Sequence, residues 1–398
     1  MPAETGAAPP ASAGKTNPSP KPPARHGEQN LSAPELDMKE SLLSFVPFND
    51  NALFFLREAQ QQILMNYFIA IQASNKAKND IDDIIRETGF LNLTPTRKRN
   101  GMIARFTAKV CGVARILTKM KRGDILLLQY PMKKFYETAC IFAHLKGAKV
   151  VTVIHDLGAF RRHKLTPEQE NARLSRADFI IVHNEEMKKH LLRHGCRLPL
   201  HCLGIFDYLS QAEPARYVTP HRPRSVVYAG GLGRWRNEFL YKLDPHIRNW
   251  TLDIYGKGLE EAYAKEWRHI AYHGFLNSEE FVSRVEADFG LVWDGDSIDE
   301  CSGDWGEYLR INNPHKTSFY LRSGLPVIVW SQAAMAPFVL KHRIGMAVDS
   351  LGDIDSALEA LTEEEYAVMK ENALKMGRQL GEGRFIKQAL DEAFKALN

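Results

Sequence analysis

From Met65 to the C-terminus, short apolar runs alternate with stretches of helical periodicity, and this alternation confines the chain to few folds. A run of about four to eight apolar and β-branched residues reads as a buried strand, and the amphipathic stretch after it as a crossover helix. In the first half the strands are expected at Tyr67–Ile71, Asp124–Leu128, Lys149–Ile154 and Phe179–Val182. In the second half they are expected at Ser225–Tyr228, Thr251–Tyr255, Phe289–Trp293, Pro326–Val329 and Met346–Val348. Helical sequence separates them, as at Glu185–Arg193 and Glu260–Trp267. The pattern predicts an α/β chain with parallel sheets.

At 398 residues the chain exceeds one ordinary α/β core and suits two. Residues 206–224, rich in proline and polar side chains, read as a linker between domains at 65–205 and 225–382. The tail Glu364–Asn398 is helical in pattern apart from Gly381-Glu-Gly, and a break there would let 383–398 fold back onto the first domain. Residues 1–64 read as a disordered or partly helical extension without catalytic role. The first part of it, to about Pro34, lacks the large apolar side chains needed to offset ordering entropy.

Composition excludes several classes. The longest apolar runs, such as Val150–Ile154 and Pro326–Trp330, fall far short of the roughly 20 residues of a spanning helix. The N-terminus has no apolar signal core, which argues for a cytoplasmic chain. The five scattered cysteines form no CxxC pair and suit reduced thiols better than a disulfide framework or a zinc site. A net charge of +4 does not imply nucleic acid.

Four segments carry chemistry. Val226-Val-Tyr-Ala-Gly-Gly-Leu-Gly-Arg-Trp-Arg runs from a strand through a glycine-rich turn into a helix, a place where backbone N–H groups meet phosphate. Arg234 and Arg236 add positive charge beside it. In Asn312-Asn-Pro-His-Lys-Thr-Ser-Phe-Tyr-Leu-Arg-Ser-Gly-Leu-Pro-Val-Ile-Val a helix opens at about Pro314 and ends at Gly324. Lys316 then sits in the first helical turn, where a cation opposes the helix dipole unless an anion binds; the plainer account is a solvated lysine. Asn66–Asp80 passes from the first strand through a small polar loop into the next helix, with Asn79-Asp80 a good cap for it. Val153-Ile-His-Asp-Leu puts His155 and Asp156 at the carboxyl end of a buried strand, where they would act on a ligand or simply cap a loop.

The pattern Pro-x-Lys-x-x-x-Tyr-Leu-x-x-Gly-x-Pro-Val-Ile within Asn312–Trp330 resembles the donor-site helix of GT-B glycosyltransferases. In its fuller wording it resembles one branch, the bacterial galactofuranosyltransferases of surface polysaccharide and the glucosyltransferases that modify serine-rich adhesins. The resemblance runs from about Met65 to the C-terminus. It implies two Rossmann-like domains facing one cleft, a UDP-sugar as substrate rather than a cofactor, and a glycan or lipid-linked acceptor. It places the donor's phosphates on Gly230, Gly231 and Lys316, with Asn313 and His315 beside them and Lys257 reaching the diphosphate or the base. Across the cleft it places Ser74, Asn75 and Lys76. Many GT-B enzymes carry a ribose-binding glutamate three residues after the lysine; here that position is Phe319, and Asp294 or Asp296 would substitute. The branch implies inversion, which requires a base to deprotonate the acceptor hydroxyl. Asp156 is the first candidate and Asp80 the second, with Arg161 and Arg162 near an anionic acceptor. Asp294-Gly-Asp296 resembles a metal-binding Asp-x-Asp of another glycosyltransferase fold, and no metal site is expected.

Arg97 to Arg122 holds nine Lys or Arg residues and no Asp or Glu, among apolar residues at near-helical spacing. Lys119, Lys121 and Arg122 end this stretch, which suits an anionic membrane surface or a lipid-linked acceptor. The plainer account packs the stripe on the sheet and leaves the cations solvated. The expected activity is hexosyl transfer, by a cytoplasmic or peripherally membrane-bound enzyme whose homo-oligomeric state stays open. The alternative is a catalytically inactive GT-B-like subunit that stabilises a partner transferase.

Overall fold

The computed structural model describes residues 64–70, 75–95, 102–132, 135–162, 165–215 and 220–397. The apolar runs become two six-stranded sheets in which every strand pair is parallel. The first contains β1 (Asn66–Phe68), β2 (Leu91–Asn92), β3 (Ile125–Tyr130), β4 (Lys149–Ile154), β5 (Phe179–Val182) and β6 (Leu200–Cys202), in the order β2-β1-β3-β4-β5-β6. The second contains β7 (Arg224–Gly231), β8 (Trp250–Lys257), β9 (Ile270–Tyr272), β10 (Phe289–Val292), β11 (Val327–Trp330) and β12 (Gly345–Val348), in the order β12-β11-β10-β7-β8-β9. The central strands are buried along both faces, as expected for sheets that helices cover on each side.

Each sheet therefore has two cores. On one face of the first, Leu126, Leu128, Val150 and Ile180 meet Val113, Ile116 and Cys140 from the covering helices. On the other face, Leu127, Val151 and Ile181 meet Ile81, Ile84 and Ile85 of the helix Lys76–Glu87, together with Ile386 and Leu390 of the last helix, Arg384–Leu397. The chain thus returns to the first sheet at its very end. Burying a side chain such as Ile386 or Leu390 contributes about 1.5–3 kcal/mol each. The reversal passes through Gly383, whose φ of +69° favours glycine. A Cβ there would lie 2.7 Å from the Ile84 side chain, so glycine is also needed for close packing.

Two expectations change, and three strands are added. Glu260–Trp267 is not an α-helix: only a short 3-10 turn, Glu261–Tyr263, forms there. The Tyr241 hydroxyl accepts the Glu260 N–H, and Asp244 accepts the N–H groups of Arg268 and His269, so both ends of the segment are pinned in irregular form. The short edge strands β2, β6 and β9 have too little apolar sequence to be seen in advance. Asn79-Asp80 does not cap the helix, which begins a turn earlier with Asn75 at its N-cap.

Candidate active site

In the second sheet the strand order reverses between β7 and β10, and open α/β sheets bind ligands beyond the carboxyl ends at such a point. Three segments converge there: the turn Gly230–Gly233, residues Trp293-Asp294 after β10, and the start of the helix His315–Arg322. The turn is shaped from both sides. Asn237 Nδ2 donates to the Gly231 carbonyl at 2.7 Å, and the Leu232 N–H donates to the Lys257 carbonyl at 2.9 Å. A Cβ on Gly256 would lie 1.8 Å from the Gly230 oxygen, so only glycine lets the ends of β7 and β8 lie this close.

Lys316 stands in the first turn of its helix with its ammonium 2.5 Å from the Tyr228 hydroxyl, 4.0 Å from the centre of the Tyr228 ring and 3.3 Å from Asp294 Oδ1. Burial lowers its pKa, and the Asp294 charge works against that shift. Arg236 reaches the same Asp294 oxygen at 3.2 Å and lies over the Trp305 ring. One buried carboxylate therefore holds two cations together. A diphosphate would compete with that carboxylate for both.

Gly230, Gly231, Lys257, His315 and Lys316 line one cavity of about 510 Å³. The Lys257 ammonium lies 4.2 Å above the centre of the Phe275 ring. The rest of the cavity wall is largely aromatic: Tyr208, Tyr255, Phe281 and Phe319 line it, with Phe281 and Phe319 ring centres 4.5 Å apart. The position at which many GT-B enzymes have a carboxylate is thus an aromatic contact. Asp296 is engaged by the Ser302 hydroxyl. Among the described residues no group of three or more His, Cys, Asp or Glu is arranged to hold a metal ion.

Other expected residues are placed differently. Asn313 faces the seam between the two sheets, not the cavity. Its side-chain amide donates to the carbonyls of His183 and Gly204 and its oxygen accepts from Asn184, because a buried amide needs all of its partners. Arg234 turns outward to Glu238 and the Tyr263 ring. Ser74 lies outside the described residues, and Asn75 is exposed. Lys76 reaches the cavity wall at Tyr208, 4.6 Å from its ring centre, while pairing with Asp80 at 2.7 Å. Asp80 also accepts the Leu209 N–H, and burial raises its pKa. Arg161 and Arg162 end the helix Gly158–Arg162, with side chains outside those described. Lys119, Lys121 and Arg122 lie at the exposed end of Met102–Lys119 and just beyond it.

At the end of β4, His155 donates from Nε2 to Gln129 Oε1 at 2.6 Å and stacks on Phe206. Gln129 in turn donates to Asp82 at 2.6 Å. Burial pushes His155 well below its ordinary value, helped by the positive charge of Lys78, and pushes Asp82 up to about 7. Asp156 is 7% exposed and hydrogen-bonded to the Tyr308 hydroxyl, which also accepts the Leu157 N–H at 2.8 Å. Tyr308 arrives from beyond β10, so Asp156 sits where the two halves meet.

Sequence reasoning missed the seam itself. Phe206 and Tyr208, read as linker, are buried: Phe206 lies against His155, His183 and His315, and Tyr208 against His315. Tyr228 was legible in principle, since strand alternation puts it on the same side as Gly230.

Comparison with known proteins agrees with this arrangement. The model of the glucosyltransferase 3-like N-terminal domain matches residues 63–205, and that of the C-terminal domain matches residues 226–393. The chain is 30% identical to the beta-1,6-galactofuranosyltransferase WbbI of Escherichia coli (strain K12), over 82% of this chain and 95% of that one. It is 28% identical to glucosyltransferase 3 of Streptococcus gordonii, over 70% of this chain and 81% of the relative. Among solved structures, the lipopolysaccharide outer core galactosyltransferase WaaB in its apo form aligns with a TM-score of 0.51 at 13% identity, over 83% of this chain and 100% of that one. A glycosyltransferase from Rickettsia africae ESF-5 aligns equally well at 10% identity, over 84% and 99%. These two share the two-domain GT-B fold. With both domain models matched in order and the cation-lined cavity at the switch point of the second sheet, the chain belongs to the glucosyltransferase 3-like family and is a GT-B nucleotide-sugar glycosyltransferase.

Proposed function

We propose that the chain transfers a hexose, galactofuranose or glucose, from a UDP-sugar to a hydroxyl of a surface glycan or a lipid-linked acceptor, with inversion and without a metal ion. One observation carries the donor half of this reading. The cavity joins a cationic, glycine-lined end at Lys316 and Gly230 to an aromatic wall, the two chemistries a nucleoside diphosphate needs. The diphosphate would take Lys316 and Arg236 from Asp294, and the base would lie along Tyr255 and Phe275. As the bond to the sugar breaks, negative charge grows on the leaving phosphate, and a cation fixed in a half-buried site stabilises it. That is the role a metal ion has in other transferases.

The acceptor would enter from the first sheet, with Asp156 as the base beside Tyr308 and Asp80 as the second candidate. The choice of sugars follows the relatives, one a galactofuranosyltransferase and one a glucosyltransferase. The acceptor side is proposed to work at the inner face of the cytoplasmic membrane. Turnover of a panel of UDP-sugars, read as UDP release with a lipid-linked or soluble glycan acceptor, tests the reading. Tight UDP binding with no release from any donor would replace it with the inactive partner subunit.

A further inference from the structure

The helix Met102–Lys119 buries Val113 and Ile116 against the first sheet, as a crossover helix must, and Met120 just after it is buried there too. That leaves a second apolar set which the sheet does not explain. Ile103 (80% exposed), Phe106 (54%), Val110 and Leu117 all face solvent. At about 100° per residue they fall within one arc of roughly 60°, so they form a single stripe. Phe106 packs on Phe135 at a ring distance of 5.4 Å, so the stripe faces toward the neighbouring helix, Tyr136–Leu145. That helix adds exposed Ile141 and Leu145, the latter 71% exposed.

Around this stripe cations outnumber acids among the described residues: Glu137 of the neighbouring helix pairs with Arg173 at 2.7 Å. The helix carries no acidic residue, and its exposed end continues into Lys119, Lys121 and Arg122. Arg122, Lys146 and Lys149 line a shared hollow beside Leu145. The acid beside this hollow is Asp178, which pairs with Lys149 at 3.3 Å and with His144 at 2.9 Å. The stripe also has a direction. It starts near the carboxyl ends of the strands, because the helix follows β2 and precedes β3, and from Ile103 to Leu117 it runs about 21 Å at 1.5 Å per residue toward the opposite edge.

We propose that this face, Ile103, Phe106, Val110 and Leu117 with Ile141 and Leu145 and their rim of cations, docks on an anionic lipid bilayer. Large apolar side chains enter the headgroup region, while Lys119, Lys121, Arg122, Lys146 and Lys149 meet lipid phosphates. A second copy of the chain is a poorer occupant, because a two-fold contact through this face would set cations against cations. The end of the stripe nearest the site would then bring a lipid-linked acceptor to the cleft. The docking itself does not depend on which donor the chain uses.

The test is flotation of the full chain with vesicles of phosphatidylglycerol and phosphatidylcholine, against phosphatidylcholine alone. Two variants are compared, Ile103→Asp/Leu145→Asp and Lys119→Glu/Lys121→Glu/Arg122→Glu. Binding is expected to need the anionic lipid and to weaken at least about tenfold in each variant. UDP-induced thermal stabilisation is expected to stay unchanged in both, since neither touches the donor cavity; its loss would report misfolding and call for the other variant. Binding that survives both sets of changes overturns the proposal, as does failure of the parent chain to bind anionic vesicles. It also fails if light scattering shows a dimer that Ile103→Asp/Leu145→Asp dissolves.

Discussion

Replacing Lys316 by methionine isolates the charge at the centre of the donor cavity while keeping most of the side-chain volume. In the unliganded protein the ammonium makes two contacts, to Tyr228 at 2.5 Å and to Asp294 at 3.3 Å, and Asp294 keeps Arg236 at 3.2 Å when the lysine is gone. The fold therefore loses one partner of a buried carboxylate but also escapes the cost of burying the ammonium, which already lowers the lysine pKa. These terms oppose each other, so the net change in stability is expected to stay within about 2 kcal/mol. Ligand binding has no such compensation. A charge-assisted hydrogen bond to the diphosphate is worth about 1.5–3 kcal/mol, which is roughly 10- to 150-fold in affinity. Titration calorimetry with UDP, alongside thermal denaturation without ligand, separates the two. Lys316→Arg should rescue poorly, since the lysine Cε already lies 3.2 Å from where a Gly230 Cβ would be and leaves little room for a planar guanidinium. A UDP affinity within threefold of the parent in a normally folded Lys316→Met protein would refute the diphosphate role.

Asp294→Asn should do the reverse, tightening UDP binding by removing a competing anion while lowering the melting temperature, because two half-buried cations lose their counter-charge; weaker UDP binding would argue that the carboxylate contacts the ligand. Gly256→Ala should cost at least about 2–3 kcal/mol and abolish donor binding, since a methyl 1.8 Å from the Gly230 oxygen must part β7 from β8; a normally stable protein in urea denaturation would contradict the strand geometry. Asp82, whose carboxyl is pushed up to about 7, carries a pH signature. Its folded value lies above its unfolded one, so the folded state holds a proton between about pH 4 and 7 that the unfolded state releases, and stability falls as pH rises through that window. Asp82→Asn should therefore gain on the parent by up to roughly 3 kcal/mol between pH 5 and pH 8, measured as the difference in unfolding free energy; a pH-independent difference would show that Asp82 ionises normally.

The segments of the proposed donor half were legible from residue order, because they depend on local rules. A strand, a glycine-rich turn and a helix start occupy successive residues at Val226–Arg236, and Asn312–Gly324 follows with its lysine in the first turn. The same local rules located the central strands and the helix Met102–Lys119. They also showed that this helix lacks acids. What they did not reach are relations between residues far apart in the chain. Asn313 looked like a donor ligand by position, yet its amide is saturated by His183, Asn184 and Gly204, more than a hundred residues earlier. Asp156 was a candidate base by position alone, and its hydrogen bond to Tyr308, 152 positions away, was not visible in residue order. Sequence by itself determined which residues become strands, turns and helix starts, since propensity and periodicity act over a few neighbours. Only the tertiary structure decided which polar groups remain available to a ligand, since a buried donor or acceptor takes whatever partner the packing of distant segments brings to it.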